Sequence, residues 1–409
     1  MQVKHQFVSS IPDDPNAAAA GEVLPSHWNA DHQVTLTGAD VTGALGYTPY
    51  NATNPANYVD QAGARASISA TAPLAYNATT GEMSFTGSFV STNPNKIQNG
   101  DFQVDQRNNG AIVNGITTNR FTIDRWFDQT TNAVFAVQRA VDASPNRFYH
   151  YRRVIQTAYN PTTDSANYCV LTQSIEAAEL ADLLWGTASA KAVTIQFEVN
   201  TTIAGTYPFA IQNLAATRRS YVTSYVVPAA NVWTPITITI PGDTASALGT
   251  ALTSEGLNIR FSHGAGGTYS VVPALMNQWI NADVFNVPTL VQLCNTVGAE
   301  FRLRKVKLEV GSTATAFQLD NVSLSAEMVR RYYQRGTLSN RILSNNANSN
   351  ISITVPFRTP MRAAPTVQVT MSNGALTSVS SVTTDSFIIN GTASATGLFD
   401  LSWTATSEI

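Results

Sequence analysis

The sequence predicts a mainly β protein built around an antiparallel jelly-roll β-sandwich. Apolar and polar residues alternate with a period of two in several segments, polar turns separate those segments, and only 12% of the residues are charged. A period of two is typical of a strand with one buried face. Many such strands joined by polar turns indicate two packed antiparallel sheets.

The alternation is clearest at Val193, Ile195, Phe197 and Val199, which are separated by polar residues. Comparable alternating segments are 221–226, 236–240 and 257–261. We interpret each as a strand whose polar side faces outward. The sequence Pro241-Gly-Asp between two of them is a turn signal.

One predicted strand changes phase along its length. Phe301 and Leu303 are odd-numbered and would lie on one face of a regular strand, whereas Val306 and Leu308 are even-numbered and would lie on the other. A β-bulge at Arg304–Lys305 would turn both apolar pairs toward the same core.

Three short helices interrupt or flank the strands. Thr37 is a suitable N-cap for the first helix, and Gly46 is its expected end. A second helix presents Leu180, Leu183 and Leu184 on one side and stops at Gly186. Ser325 is the expected cap of the third helix, and Gly336 its end.

These patterns predict five parts of the chain. They are two N-terminal parts at 1–35 and 36–97, the sandwich at 98–322, a linker helix at 323–336 and a C-terminal β domain at 337–409. The first two parts have too few apolar residues to bury a core of their own, and the last is small for an independent one. Oligomerisation is the expected supplement.

Charge and composition exclude several classes of protein. With 24 Lys and Arg against 27 Asp and Glu, no basic excess is available to neutralise nucleic-acid phosphates. No apolar run is long enough for a membrane-spanning helix, and the first residues lack a secretory apolar segment. Cys169 and Cys294 are too far apart for a CxxC site, so we expect two buried thiols, with a disulfide as the alternative.

The sequence contains none of the common nucleophile, zinc-protease, P-loop or dinucleotide motifs. The spacing of His27 and His32 does not suit one helix face, so no metal site and no cofactor are predicted. Paired carboxylates of a glycosidase can come from any part of a fold. The candidates are Asp124, Asp128, Glu198 and Glu309. Each also has a structural interpretation, and we predict no catalytic residue.

Sugar binding needs aromatic faces and a few hydrogen-bonding groups in a shallow site. The aromatic candidates for a glycan site are Tyr149, Tyr151, Tyr159, Tyr269 and Trp279. Trp126 lies in a strand context and is predicted to be core.

Two apolar sets are candidates for a trimer or domain interface. They are Val41, Leu45 and Tyr47 near the first helix, and Val329, Tyr332 and Tyr333 on the third. The basic run at 302–307 alternates with apolar residues and indicates a solvated strand face, ahead of a nucleic-acid patch.

Several segments, in matching order along the chain, resemble bacteriophage tail fibres, the trimeric receptor-binding appendages. Those typical of the fibre start and shaft are SHWNADH at 26–32, LTGADVTGALGYTPY at 36–50 and APLAY at 72–76. Those similar to the carbohydrate-binding-module-like jelly roll of phage fibres are 99–102, 124–126, 185–187 and 308–311. The segments 331–333 and 360–367 are similar to the region C-terminal to that jelly roll.

This resemblance implies a virion protein at the tail tip or baseplate, assembled in the host cytoplasm as a parallel homotrimer. It also implies that 1–35 is an attachment segment and that 36–97 is a short fibre or shaft segment. Its N-terminal part would attach to tail or baseplate proteins, and its C-terminal parts would recognise a host surface polysaccharide without cleaving it. A single Gly-Tyr-Thr-Pro sequence implies a short fibre. Two alternatives stay open: a tailspike-type polysaccharide depolymerase, and a purely structural baseplate connector.

Overall fold

The chain divides into two units, Met1–Phe89 and Val90–Ile409. The computed structural model describes residues 2–3, 10–16, 24–30, 32–33, 35–46, 61–70, 74–85, 95–143, 147–163, 165–214, 217–249, 251–341, 350–393 and 398–409. The sandwich begins before residue 98, because the Lys96 backbone N–H donates to the Leu308 carbonyl at 2.8 Å.

The described part of the first unit holds three short helices and two small strand pairs. The helices are α1 Pro25–Asn29, α2 Gly38–Leu45 and α3 Gln61–Ala66, and the pairs are β1 Gln2–Val3 with β2 His32–Gln33, and β3 Leu74–Asn77 with β4 Glu82–Phe85. The predicted limits of α2 are confirmed. Thr37 and Asp40 form a reciprocal capping box at its start, and Gly46 ends it in the left-handed conformation with φ of 72°.

The second unit opens with an antiparallel β-sandwich, as the alternation predicts. Its strands are β5 Val113–Ile116, β6 Arg120–Ile123, β7 Trp126–Thr130, β8 Val134–Val141, β9 Tyr149–Thr157, β10 Tyr168–Glu176, β11 Val193–Thr201, β12 Gly205–Asn213, β13 Arg219–Val227, β14 Thr234–Ile240, β15 Glu255–Ala265, β16 Trp279–Ile280 and β17 Glu300–Val310. A seven-stranded sheet has the order β16-β13-β12-β15-β10-β7-β6, and a six-stranded sheet has the order β14-β11-β17-β9-β8-β5.

The inner faces of both sheets form one hydrophobic core. Val193, Ile195 and Val199 have no exposed surface, and Trp126 is also fully buried, as predicted. The bulge is confirmed as well. The pairing of β11 with β17 shifts register opposite Arg304–Lys305, so apolar residues on both sides of the bulge reach the core.

The seven-stranded sheet differs from the expected half-buried pattern. Residues 256–265 of β15 are all buried, so its polar side is covered too. The segment 266–292 lies against that outer face, where Val284 and Phe285 pack with Val170 and Val222. A period of two in the sequence shows that one face of a strand is apolar and the other polar, but it does not show whether another segment covers the polar face.

Short 3₁₀ helices lie at Pro161–Thr163, Ala177–Leu183, Gly267–Tyr269, Pro273–Leu275 and Leu293–Asn295. The predicted helix near residue 180 is therefore the 3₁₀ helix Ala177–Leu183. Leu180 and Leu183 are buried in it, as expected. The predicted placement of Leu184 is wrong, since this residue adopts a left-handed conformation after the helix and is exposed.

The third predicted helix is shorter than expected. Helix α4 spans Val322–Arg330, and Asn321 caps it through the Ser323 backbone N–H, while Ser325 lies buried inside the helix. The expectation that this helix continues to Gly336 is wrong. Residues from Tyr333 onward have a strand partner, and pairing with that strand overrides the local helical pattern.

The C-terminal strands form two three-stranded sheets around a small core. Their bounds are β18 Tyr333–Arg341, β19 Asn350–Pro356, β20 Thr366–Asn373, β21 Ala375–Ser380, β22 Ser386–Thr392 and β23 Leu398–Thr406, in the orders β18-β23-β20 and β19-β22-β21. Phe357, Phe387 and Trp403 pack ring against ring in this core, with centroids 5.3 to 5.9 Å apart.

A buried ion pair joins the C-terminal sheets to the sandwich. Arg125 donates to Glu408 at 2.5 Å and to the Ser174 carbonyl at 2.6 Å, and its guanidinium stacks 3.5 Å over the Tyr332 ring. Arg107 donates to the other oxygen of Glu408 at 2.9 Å. Arg125 and Arg107 of the sandwich therefore both contact Glu408, which follows the last C-terminal strand.

A second buried network crosses the sandwich core. Arg153 projects from β9 of one sheet and contacts the other sheet, where it pairs with Asp128 and with a ring nitrogen of His263. It also donates to the Val170 carbonyl at 3.2 Å and, through Nε, to the Tyr151 hydroxyl at 2.7 Å. Burial alone would lower the pKa of Arg153, but the surrounding Tyr151, Cys169 and Asp128 raise it above its ordinary value.

We expect Asp128→Asn to lower the free energy of unfolding by about 3–5 kcal/mol, because it leaves the buried Arg153 charge uncompensated. Urea unfolding monitored by tryptophan fluorescence measures this change. Arg330→Gln is the matched control, since it breaks an exposed pair with Glu327 and should cost less than about 1 kcal/mol. Equal losses in the two variants would contradict the structural role of the buried pair.

Asp124 is fully buried beside Arg107, at 3.6 Å, and should make stability depend on pH. Burial raises the pKa of Asp124 to about 7, although Arg107 acts to lower it. The folded state therefore keeps a proton that the unfolded chain loses near its ordinary pKa of 3.8, and this group's contribution to stability falls as pH rises from about 4 to about 7.

Asp124→Asn should consequently gain stability relative to the wild type across that pH interval, by up to about 4 kcal/mol at its upper end. Denaturant titrations at closely spaced pH values give the difference between the two proteins. A difference that stays constant from pH 4 to 7 would contradict the raised pKa.

Candidate functional site

The structure separates the five aromatic residues predicted for a glycan site. Tyr151 has no exposed surface and its hydroxyl donates to Asp128 at 2.5 Å, so its proposed ligand role is wrong: it belongs to the core network. Tyr149 lies on β9 with 38% exposure, under the Arg139 guanidinium. Tyr159 bonds to Asn167, and Trp279 packs against Trp185 with ring centroids 5.1 Å apart.

Tyr269, the fifth, lines a cleft on the outer face of the seven-stranded sheet, which we call the sheet cleft. It measures about 250 Å³. Its lining residues are Phe127, Gln129, Tyr168, Val170, Thr172, Ser174, Arg218, Glu255, Asn258, Arg260, Tyr269, Asp283 and Phe285. The volume is slightly below the roughly 300–1,000 Å³ of small-molecule sites, which suits one ring of a longer ligand.

Strand register builds the floor of the sheet cleft. Thr172 of β10 lies between Phe127 of β7 and Arg260 of β15 in one cross-strand row. Ser174 pairs with Asn258 in the next row of the same face. Because side chains two residues apart share a face of a strand, these polar groups converge on one surface.

Three aromatic rings stand together in the sheet cleft. Tyr269 and Phe285 stack with centroids 5.4 Å apart and an interplanar angle of 25°, and both come from the covering segment 266–292. Tyr168 of β10 meets Tyr269 edge-on at 5.2 Å. Such faces can pack against the C–H side of a sugar ring.

Two buried polar atoms of the floor have no hydrogen-bond partner among the residues that the structure describes. These are Nε of Arg260 and Oδ1 of Asn258, in side chains that are only 7% and 3% exposed. Arg260 stacks 4.7 Å from the Phe285 ring and has only a long contact of 3.7 Å to Asp283. Burial lowers the pKa of its guanidinium to about 10, which expresses the cost of holding this charge away from water.

The remaining charged groups of the sheet cleft each have a hydrogen-bond partner. Arg218 donates to Asp283 at 2.6 Å, and Glu255 accepts from the Ser174 hydroxyl at 3.1 Å. Two arginines and two carboxylates line the cleft, so its formal charge is zero. The arrangement holds one unpaired donor and one unpaired acceptor, both buried, at the base of an apolar platform in an electrically neutral setting.

Sequence reasoning missed most of this site. Asn258 and Arg260 alternate with Leu257 and Ile259, a pattern that is also typical of an ordinary solvated strand face. The one feature of the sequence that could have indicated this site is Arg260, a charged residue in a strand otherwise rich in apolar residues. The aromatic partner Phe285 gave no signal of its own, because it lies in an irregular segment.

The predicted interface residues fall in both units. Val41 is half-buried and Leu45 is 49% exposed in the first unit, whereas Tyr47 lies outside the described residues. Val329, Tyr332 and Tyr333 are buried in the second unit. At the junction between the sandwich and the C-terminal sheets, the guanidinium group of Arg125 stacks on the Tyr332 ring and that of Arg107 stacks on the Tyr333 ring.

The basic run on β17 is matched by carboxylates on its own sheet. Arg304 and Lys305 pair with Glu198 at 2.6 and 2.7 Å, and Lys307 pairs with Glu309 at 3.1 Å. The strand face is therefore a ladder of ion pairs. Two of the carboxylates considered as catalytic candidates are members of this ladder.

Both cysteines are buried free thiols, as the sequence favoured. In the part of the chain that the structure describes, no group of three or more histidine, cysteine or acidic residues is arranged so that it could bind a metal ion. Across the same residues, no helix combines the length and apolar character needed to cross a membrane.

No protein-family model matches the chain, and no curated protein sequence matches it. Several solved structures are similar. The enzymatically active domain of tailspike protein 4 from bacteriophage CBA120 is 10% identical over 53% of this chain, with a TM-score of 0.28, and the match spans 21% of that domain. A family 4 carbohydrate-binding module is 14% identical over 52% of this chain and 99% of its own, with a TM-score of 0.27.

The N-terminal cellulose-binding domain of β-1,4-glucanase C from Cellulomonas fimi is 9% identical over 55% of this chain and all of its own, with a TM-score of 0.26. This chain spans about a fifth of the tailspike domain that it matches. The jelly-roll assignment rests on the two antiparallel sheets described above.

Proposed function

We propose that this protein binds a neutral glycan in the sheet cleft. The observation that supports it is the unpaired donor of Arg260 beside the unpaired acceptor of Asn258, both buried at the foot of an aromatic platform. A sugar hydroxyl both donates and accepts, so neighbouring hydroxyls of one ring would satisfy both atoms. Leaving such atoms unpaired costs about 1–3 kcal/mol each, a cost that a ligand would remove.

The neutral balance of the sheet cleft favours an uncharged sugar. Asp283 is engaged by Arg218 and by Gln212, which donates to it at 2.9 Å, so neither of these charged groups is free to take a charged ligand. Glu255 is held by Ser174. In this proposal the two carboxylates shape the site and the glycan leaves it uncleaved.

We further propose that the protein is a homotrimeric phage tail fibre, anchored in the virion by its N-terminal part. The support is the ordered series of fibre-like segments in the sequence, together with the exposed apolar surface of the first unit. Among the residues of the first unit whose side-chain burial the structure describes, Leu24 is the one buried apolar residue, whereas Leu36, Leu74 and Met83 are at least 45% exposed. Copies of the chain would cover such surface, and three sites would raise avidity.

The glycan proposal is tested with Tyr269→Ala and Arg260→Met. An array of purified neutral polysaccharides identifies the best probe, and calorimetry with its oligosaccharide gives the affinity. Both variants should lose at least about tenfold in affinity, because each removes a central contact. Arg260→Met should fold as stably as the wild type, since it replaces a desolvated charge with an apolar chain of similar size.

Tyr149→Ala is the matched control, because it removes an aromatic ring from the other sheet and should leave affinity unchanged. Retained binding in both cleft variants, or its loss in the control alone, would contradict the placement of the site. New reducing ends after incubation with the polysaccharide would favour the depolymerase instead.

The trimer is tested by light scattering of the purified full-length protein. We expect a mass three times that of the 43.8 kDa chain, because the first unit needs partners for its apolar side chains. A stable monomer would refute this assembly. Excess soluble protein should also reduce adsorption of the phage that carries it, and unchanged adsorption would favour the structural connector.

A further inference from the structure

A larger cleft lies where the C-terminal sheets meet the sandwich, and we call it the junction cleft. It measures about 800 Å³ and is bounded by β18, β19, β20 and β23, with Arg107 contributed by the sandwich. It shares no lining residue with the sheet cleft. Nothing in the proposed function uses it.

The charged residues that line the junction cleft are all arginines: Arg107, Arg335 and Arg358. Arg107 forms an ion pair with Glu408 at 2.9 Å, and Glu408 is shared with Arg125. Arg335 donates at 2.7 Å to the Gln106 carbonyl, which carries no formal charge. Within the described residues, neither Arg335 nor Arg358 lies within ion-pair distance of a carboxylate.

Most described arginines lie within ion-pair distance of an acidic partner, whereas these two do not. Glu327 acts on Arg358 only at longer range, as a coulombic effect and not as an ion pair. Two guanidinium groups without an ion-pair partner in a concave surface attract anions, because the low-dielectric walls concentrate their field. Guanidinium is also the group that pairs best with carboxylate and phosphate oxygens, through two parallel hydrogen bonds.

The rest of the lining suits a sugar chain. Thr370, Ser402 and Thr404 place hydroxyl groups on neighbouring strands β20 and β23, and Gln368 adds an amide. The rings of Tyr333 and Trp403 provide apolar contact area in the same cleft. The volume is within the roughly 300–1,000 Å³ range of ligand sites, and exceeds what a single inorganic anion needs.

We propose that the junction cleft binds an acidic polysaccharide, with Arg335 and Arg358 contacting its carboxylate or phosphate groups. The threonine, serine and glutamine side chains would hydrogen-bond the sugar hydroxyls. This second site goes beyond the proposed function and is independent of it, because the sheet cleft is neutral. One chain would then bind both a neutral glycan and an acidic polysaccharide of a host surface.

The test measures binding of full-length protein to four probes: oligogalacturonate, a phosphomannan oligosaccharide, the neutral oligosaccharide chosen for the sheet cleft, and duplex DNA. Oligogalacturonate or the phosphomannan oligosaccharide should bind, more weakly as salt increases, and the one that binds identifies the anionic group. Inorganic phosphate should compete with it on the wild-type protein. DNA, a polyanion without the sugar hydroxyl pattern, should bind at least about tenfold more weakly.

Arg335→Gln/Arg358→Gln should lower affinity for the acidic probe at least about tenfold and leave the neutral probe unaffected. Arg120→Gln/Arg147→Gln is the control, because it removes the same total charge at two arginines that line neither cleft. Thermal unfolding of both double variants verifies that they are folded, and phosphate competition on the wild type remains informative if one is not.

Several results would overturn the proposal. These are absence of binding by both acidic probes, equal losses in the two double variants, and DNA binding as tight as that of the acidic glycan. A changed mass of Arg335→Gln/Arg358→Gln in light scattering would also overturn it, because the cleft would then be a contact between copies of the chain.

Discussion

One buried guanidinium holds together the three strands that form the floor of the sheet cleft. Arg153 comes from the opposite sheet, and it contacts Asp128 on β7, the Val170 carbonyl on β10 and His263 on β15. Burying an arginine costs desolvation energy unless its N–H groups are hydrogen-bonded. The three strands must therefore keep their relative positions for Arg153 to remain hydrogen-bonded. Burial and the nearby Arg153 charge lower the pKa of His263 far below its ordinary range, which keeps this ring neutral and able to accept the hydrogen bond.

The same strands carry the ligand-facing side chains on their other face. Phe127 and Gln129 flank Asp128 in sequence, and on β10 Val170 itself lines the sheet cleft. The inner face therefore provides rigidity, and the outer face presents groups that stability alone does not explain. Arg260 illustrates the contrast with Arg153: both are buried arginines of the sandwich, but Arg153 has its donors engaged, whereas Arg260 retains an unpaired Nε. Other buried polar atoms of the described residues also lack a partner, and those of Arg260 and Asn258 differ from them in belonging to the lining of the sheet cleft.

Sequence reasoning predicted the elements better than the site. The alternation at 193–199, the bulge at Arg304–Lys305 and the caps of α2 are local consequences of side-chain period and backbone conformation, and all three are confirmed. The burial of Tyr151 and the end of α4 depend on residues that are distant in sequence, namely Asp128 and the strand β23. The sheet cleft needs the covering segment 266–292 to place Tyr269 and Phe285 beside Tyr168, and that return path has no periodic signature.

The central claim is that the unpaired atoms of Arg260 and Asn258 are held for a sugar. A crystal structure with the best-binding neutral oligosaccharide tests it most directly. We predict a sugar ring on the Tyr269 face, with one hydroxyl accepting from Arg260 Nε and another donating to Asn258 Oδ1. An oligosaccharide bound elsewhere, with both atoms of the sheet cleft left without sugar contacts, would contradict this claim.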